Sequence, residues 1–160
     1  MMPLVRQINT LSADMITGTN IELPDAAITL TRTTTLALVT TGTNIVWQTQ
    51  TRGQNITWSG STITIPTAGY YAIQVSLGTT GSQTMIITRV VNGTVIGGFS
   101  VQFVATNYFS GQTTCYFNSG DTLVIRLTPG ANTTMTSVAE FSTTESPILH
   151  IVQIARQALT

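Results

Sequence analysis

The stretch "TITIPTAGYYAIQVSL", residues 62 to 77, alternates apolar and polar side chains with period two on both sides of a Pro–Gly hinge. Ile63 and Ile65 face one way, with Thr62 and Thr64 opposite. Beyond the hinge Tyr71, Ile73, Val75 and Leu77 share one face, while Tyr70, Ala72, Gln74 and Ser76 share the other. Such alternation specifies strands buried on one side only. The second face is unusual because no charge occurs across the whole stretch, where soluble strands ordinarily carry Lys or Glu. Any fold for this chain must account for an uncharged, Thr-rich outer surface.

The rest of the sequence repeats the pattern. Alternating runs at 34–39, 44–49, 54–58, 62–66, 70–77, 84–91, 94–104, 112–118, 122–128, 134–141 and 147–155 are separated by Gly, Asn and Pro. Thr, Val and Ile dominate them, which favours strand over helix. Asn92-Gly93 is the strongest hairpin signal. About ten short antiparallel strands with turns every eight to twelve residues predict an all-β sandwich or barrel. Residues 1–33 alternate weakly and hold Pro3 and Pro24. They read as an extended N-terminal arm with one or two strands of its own, ahead of a compact domain at 34–160. The arm carries Leu4, Val5, Ile8, Leu11, Met15 and Ile16, too apolar for a solvated tail, and is expected to dock onto a partner surface.

Only 8% of the 160 residues are charged, and six arginines balance six acids with no lysine. Ordinary domains carry about a quarter. A 17.1 kDa body with net charge zero has little repulsion to keep copies apart. Much of its surface is therefore expected to be covered by copies of itself or by a larger particle. The same census argues against nucleic acid, because no basic patch exists to displace counterions. The sequence has no run of eighteen apolar residues, and its start lacks a signal peptide's apolar stretch. A chain that neither enters a membrane nor uses the general export route is expected. Cys115 is the single cysteine, placed in an alternating run as a small buried hydrophobe.

Four segments, in order, resemble the C1q/TNF-like jelly-roll domain. In "TITIPTAGYYAIQVSL", Pro66, Gly69 and Tyr71 match a Pro-x-x-Gly-x-Tyr pattern, with Ile73 in place of the usual aromatic. In "CYFNSGDTLVIRL", Phe117, Gly120, Asp121, Leu123, Ile125 and Leu127 fall on an apolar-x-x-Gly-Asp pattern. "RVVNGTVIGG" is similar to the family's Asn-Gly hairpin, and "SPILHIVQIAR" to the last strand of bacterial and phage members, including exosporium-type glycoproteins. The resemblance covers about residues 36–156, and "STTES" before Pro147 departs from it. It implies a ten-stranded antiparallel jelly roll that forms a homotrimer about a threefold axis. The uncharged face would then pack against a sister subunit, where an unpaired charge would cost several kcal/mol. Tyr70, Tyr71, Ile73, His150 and Val152 are the candidate interface or core residues. The alternative is a Thr face simply left in water.

Chemistry is hard to place on this sequence. His150, the single histidine, shares a face with Ile148, Val152 and Ile154 and reads as a hydrogen-bonded structural residue. The alternative is three copies meeting near a trimer axis to bind an ion or sense pH. No Gly-x-Ser-x-Gly motif, zinc spacing or phosphate loop is present. Asp121 follows Gly120 in a tight turn and is expected to bond the local backbone. Glu140 and Glu145 are a candidate cation pair on the last loop, and Trp47, Trp58, Tyr70 and Tyr108 are candidates for stacking on sugars. No enzyme and no cofactor are expected. The expected function is structural: a capsid decoration, cement or head-fibre protein on a virion surface, assembled in the host cytoplasm. Its arm would bind the major capsid protein or another particle component. The alternative is a fibre-tip module recognising cell-surface glycan.

Overall fold

The computed structural model describes residues 26–79, 83–103, 107–135 and 147–156. The docking candidates Leu4, Val5, Ile8, Leu11, Met15 and Ile16 lie outside them. In chain order the strands are β1 (Ala27–Thr31), β2 (Leu36–Leu38), β3 (Thr43–Asn44), β4 (Thr49–Gln54), β5 (Thr57–Ser59), β6 (Thr62–Thr64) and β7 (Gly69–Thr79). They continue as β8 (Gln83–Val91), β9 (Thr94–Phe103), β10 (Asn107–Phe117), β11 (Thr122–Pro129), β12 (Thr133–Met135) and β13 (Ile148–Arg156). All pairings are antiparallel. One sheet runs β2-β12-β7-β13-β1-β4 with β10 also on β7; the other runs β5-β6-β11-β8-β9 with β3 on β11. The expected antiparallel jelly-roll sandwich is therefore present, with thirteen strands among the described residues rather than about ten. Two of them have no counterpart among the eleven alternating runs: β1, inside the stretch read as an arm, and β4, which fills the interval between the runs at 44–49 and 54–58.

One strand lies within the stretch read as an arm. β1 is an interior strand, paired with β13 on one side and β4 on the other, and Ile28 and Leu30 point into the core at 1% and 0% exposure. The sandwich thus reaches back to Ala26, inside the 1–33 segment. β13 is inserted between β1 and β7, so the two ends of the described chain meet in mid-sheet.

The alternation reads out as expected. Tyr71, Ile73, Val75 and Leu77 are buried between the sheets, while Tyr70 on the opposite face is half exposed. On β11 the pattern is buried at every second residue. Leu149 and Ile151 of β13 complete the floor, and Phe117 packs edge-on against Tyr71 with ring centroids 5.7 Å apart. Burial of each such side chain contributes roughly 1.5–3 kcal/mol. Asn92 and Gly93 have φ of 50° and 80°, the signature of a type I′ hairpin turn. Asp121 behaves as expected: Oδ2 accepts from the Asn118 backbone N–H at 2.8 Å, and Oδ1 accepts from Asn92 Nδ2 at 2.7 Å.

Besides Thr31, two polar residues are buried among the described residues, Arg32 and Gln153. Arg32 donates to the carbonyls of Val46 at 2.6 Å and Thr35 at 2.9 Å, tying the β1–β2 connection to the segment before β4. Burial lowers its pKa, because the charged form loses hydration. Gln153 sits at a β-bulge, where β13 shifts register against β7 between Gln153 and Ala155. The backbone closes tightly there: a Cβ on Gly69 would lie 2.4 Å from the Ala155 carbonyl oxygen. Gly69 in the PTAGYY stretch is therefore required by close approach of β13.

Substituting Gly69→Ala is expected to destabilise the fold by about 1–3 kcal/mol through that clash, read as a lower urea midpoint. Tyr71 Oη donates to the Thr67 carbonyl at 2.8 Å, and burial raises its pKa. A raised folded-state pKa means stability that is intact below the ordinary tyrosine pKa and is lost as pH rises through the folded value. Tyr71→Phe should cost about 1 kcal/mol near neutrality and soften the alkaline loss, checked by denaturation midpoints at neutral and alkaline pH.

Candidate functional site

The outward face of the larger sheet is built by strict registers. Thr29 of β1 lies opposite Arg52 of β4 and opposite His150 of β13; His150 lies opposite Gln74 of β7, and Gln74 opposite Gln112 of β10. This forms a transverse polar row across five strands. The adjacent row runs Gln54, Ala27, Val152, Ala72 and Thr114. Next to it stand Tyr70 and Tyr116, 50% and 36% exposed, in an edge-to-face pair with centroids 5.3 Å apart. Along both rows Arg52 is the sole charge, and it lies on the flanking strand β4.

The β4 side of this face is hollowed into an open cleft of about 770 Å³, lined by Ala27, Thr29, Thr51, Arg52, Gln74, His150 and Val152, with Ile28 at its base. Successive strand residues ordinarily point to opposite faces, yet Thr51 and Arg52 both line it. A bulge explains this: Thr29 pairs with Arg52 but Leu30 pairs with Gln50, leaving Thr51 as the extra residue. On the far side of the bulge Gln50 folds across Gly53 and accepts a hydrogen bond from Trp58 Nε1 at 3.0 Å. Thr29 Oγ1 and His150 Nδ1 are 3.0 Å apart, which holds the imidazole against β1. Gln74 Nε2 donates to Ser110 Oγ at 3.3 Å.

The candidates taken from sequence separate cleanly. Tyr71 and Ile73 are core, at 0% and 2% exposure. Tyr70, His150 and Val152 lie on the outward face, His150 and Val152 partly buried. His150 shares its side with Ile148 and Val152, but that side faces away from the core, and Ile154 falls at the Gln153–Ala155 bulge, 56% exposed. Among the aromatics considered for sugar stacking, Trp47 is 2% exposed and unavailable, and Trp58 is partly buried against the core; the side chain of Tyr108 falls outside the described residues. Glu140 and Glu145 also lie outside them. Among the described residues no group of three His, Cys, Asp or Glu is placed to hold a metal ion, and no helix is long and apolar enough to cross a membrane.

Cys115 is buried, as expected, but it has company. The Arg89 guanidinium crosses from β8 to reach Thr113 Oγ1 at 3.1 Å and Cys115 Sγ on β10. It lies over Gly97, where a Cβ would meet Arg89 Nη2 at 2.6 Å. Burial pushes the thiol pKa up, and the neighbouring guanidinium partly offsets that. Thr51, Arg52, Thr29 and Tyr116 were not singled out by sequence reasoning. A bulge leaves no mark in the alternation of a strand as polar as β4, so nothing there could have paired Thr51 with Arg52.

No family model matches the sequence, and no curated protein matches it either. Solved structures do. Murine APRIL aligns with TM-score 0.59 at 16% identity, over 81% of this chain and 98% of that one. Eiger TNF from S. frugiperda gives 0.60 at 13% identity, over 84% and 96%. The globular domain of zebrafish complement 1qA protein gives 0.57 at 11% identity, over 82% and 99%. With this strand order and these structural neighbours, the fold is a C1q/TNF-like jelly roll.

Proposed function

We infer that this chain is a non-enzymatic, self-associating structural module: a homotrimer serving as a decoration, cement or head-fibre protein on a virus particle, anchored through residues 1–25. The observation that carries the self-association is a match between two uncharged surfaces. The first is the Tyr70–Tyr116 end of the outward face, with Ala72, Gln112 and Thr114 beside it. The second is the side of the sandwich where β9 and β10 end their sheets. These strands are ten and eleven residues long, pair among the described residues only with β8 and β7, and contain no charged residue. Long neutral strand edges are templates for unwanted pairing unless something covers them. Natural monomers blunt such edges with Lys, Pro or short strands, and this chain uses none of these at β10. A stable contact needs on the order of 800 Å² per partner, and a second copy offers a neutral face of the required kind. The anchoring role rests on the apolar arm and on the charge-poor composition, and the particle itself is inferred from the resemblance of "SPILHIVQIAR" to phage members.

Light scattering of the full-length chain at micromolar concentration is expected to give three times the 17.1 kDa chain mass. Replacing Tyr70 and Tyr116 together by Glu should weaken association by about 3 kcal/mol or more while the β-sheet circular dichroism persists. A stable monomer of the unmodified chain overturns the self-association. Deleting residues 1–25 is expected to leave the associated head intact but to abolish co-sedimentation with the particle. Normal particle binding by the truncated chain overturns the anchor. Copies confined to a tail end rather than spread over the capsid would favour the fibre-tip reading instead.

A further inference from the structure

We propose that the cleft between β4 and β13 is a binding site for a carboxylate-bearing sugar, with Arg52 as the carboxylate receptor. Three features point there. The bulge at Thr51 re-aims two consecutive side chains into one cleft, a device strands use beside binding sites. The groups it gathers are those an acidic sugar requires. Among the described residues no carboxylate lines the cleft, and none gives Arg52 an ion pair or side-chain hydrogen bond to satisfy its planar fork, which matches a carboxylate in bidentate fashion. His150 is held through Nδ1 by Thr29, which leaves Nε2 as the ring nitrogen for a ligand.

The floor completes the match. Val152 and Ala27 supply an apolar patch for the C–H face of a pyranose, and Thr51 supplies a hydroxyl at the rim. Phosphate would be satisfied by the cation alone and would leave that apolar floor unused. A neutral sugar would leave the guanidinium unpaired. The site is centred on the β4 side of the face, away from Tyr70 and Tyr116, and its Gln74 and Val152 border Gln112 and Ala72 of the proposed contact surface.

The test uses the full-length chain with N-acetylneuraminic acid and glucuronic acid, with N-acetylglucosamine as the neutral control and inorganic phosphate as the simple anion. The chain has a single histidine, so the His150 ring resonances are unambiguous reporters in NMR titrations. At least one acid sugar is expected to shift them saturably with a dissociation constant of about 1 mM. Arg52→Gln should weaken that binding about tenfold or more without changing the melting temperature, and Arg52→Lys should recover it only in part. The proposal fails if neither acid sugar shifts His150, if the neutral sugar binds equally well, or if Arg52→Gln binds like the parent. Phosphate binding as tightly as the acid sugars would equally overturn it, because the cleft would then be an unselective anion site.

Discussion

Strand β13 fits between β1 and β7, and its register governs nearly everything else in the larger sheet. Ile151 faces Ile28 on one side and Ile73 on the other, and all three are buried between the sheets. A slip by one residue would put His150 into the core and Leu149 and Ile151 into water, so the register is enforced by several buried side chains at once. The same register sets His150 beside Thr29 and Gln74 on the outward face. The cleft is thus a by-product of core packing: the residues that form it are the odd partners of residues that could not be placed otherwise. The bulge at Gln153–Ala155, with Gly69 beneath it, ends that register where the strand leaves the core.

Removing charge from the surface shifts the burden of solubility and specificity elsewhere. The few arginines that remain are mostly tied to the frame. Arg32 closes the β1–β2 connection on backbone carbonyls, Arg126 donates to Asn44 Oδ1 at 3.0 Å across β11 and β3, and Arg89 lies over Gly97 against Thr113 and Cys115. Buried or half-buried guanidinium groups of this kind need several acceptors to offset lost hydration. Arg52 differs from them in standing on the outer face with its fork turned to a cleft. That contrast, more than its charge, sets it apart.

Much of the fold was legible because the strands on each side of the core are amphipathic at period two. Tyr71, Ile73, Val75 and Leu77, the Asn92-Gly93 turn and the Asp121 turn are local features, and local chemistry decides them. β1 was harder to see. Its five residues lie in a segment of weak alternation, and its place in mid-sheet comes from partners more than a hundred positions away in sequence. β4 was missed as well: it is fully exposed, and it owes its position to its neighbours rather than to its own pattern.

The amino-acid sequence alone determined that this would be an all-sheet sandwich with one neutral outer surface, because alternation and the scarcity of charge are properties of neighbouring residues. Only the tertiary structure decided which neutral residues stand side by side. Pairing between strands distant in the chain brings Tyr70 to Tyr116, and Thr29 to both Arg52 and His150. A bulge, which depends on hydrogen bonding to another strand, then turns Thr51 and Arg52 the same way. Such juxtapositions arise from long-range register, and register is fixed by the packing of the whole core rather than by any short stretch of sequence.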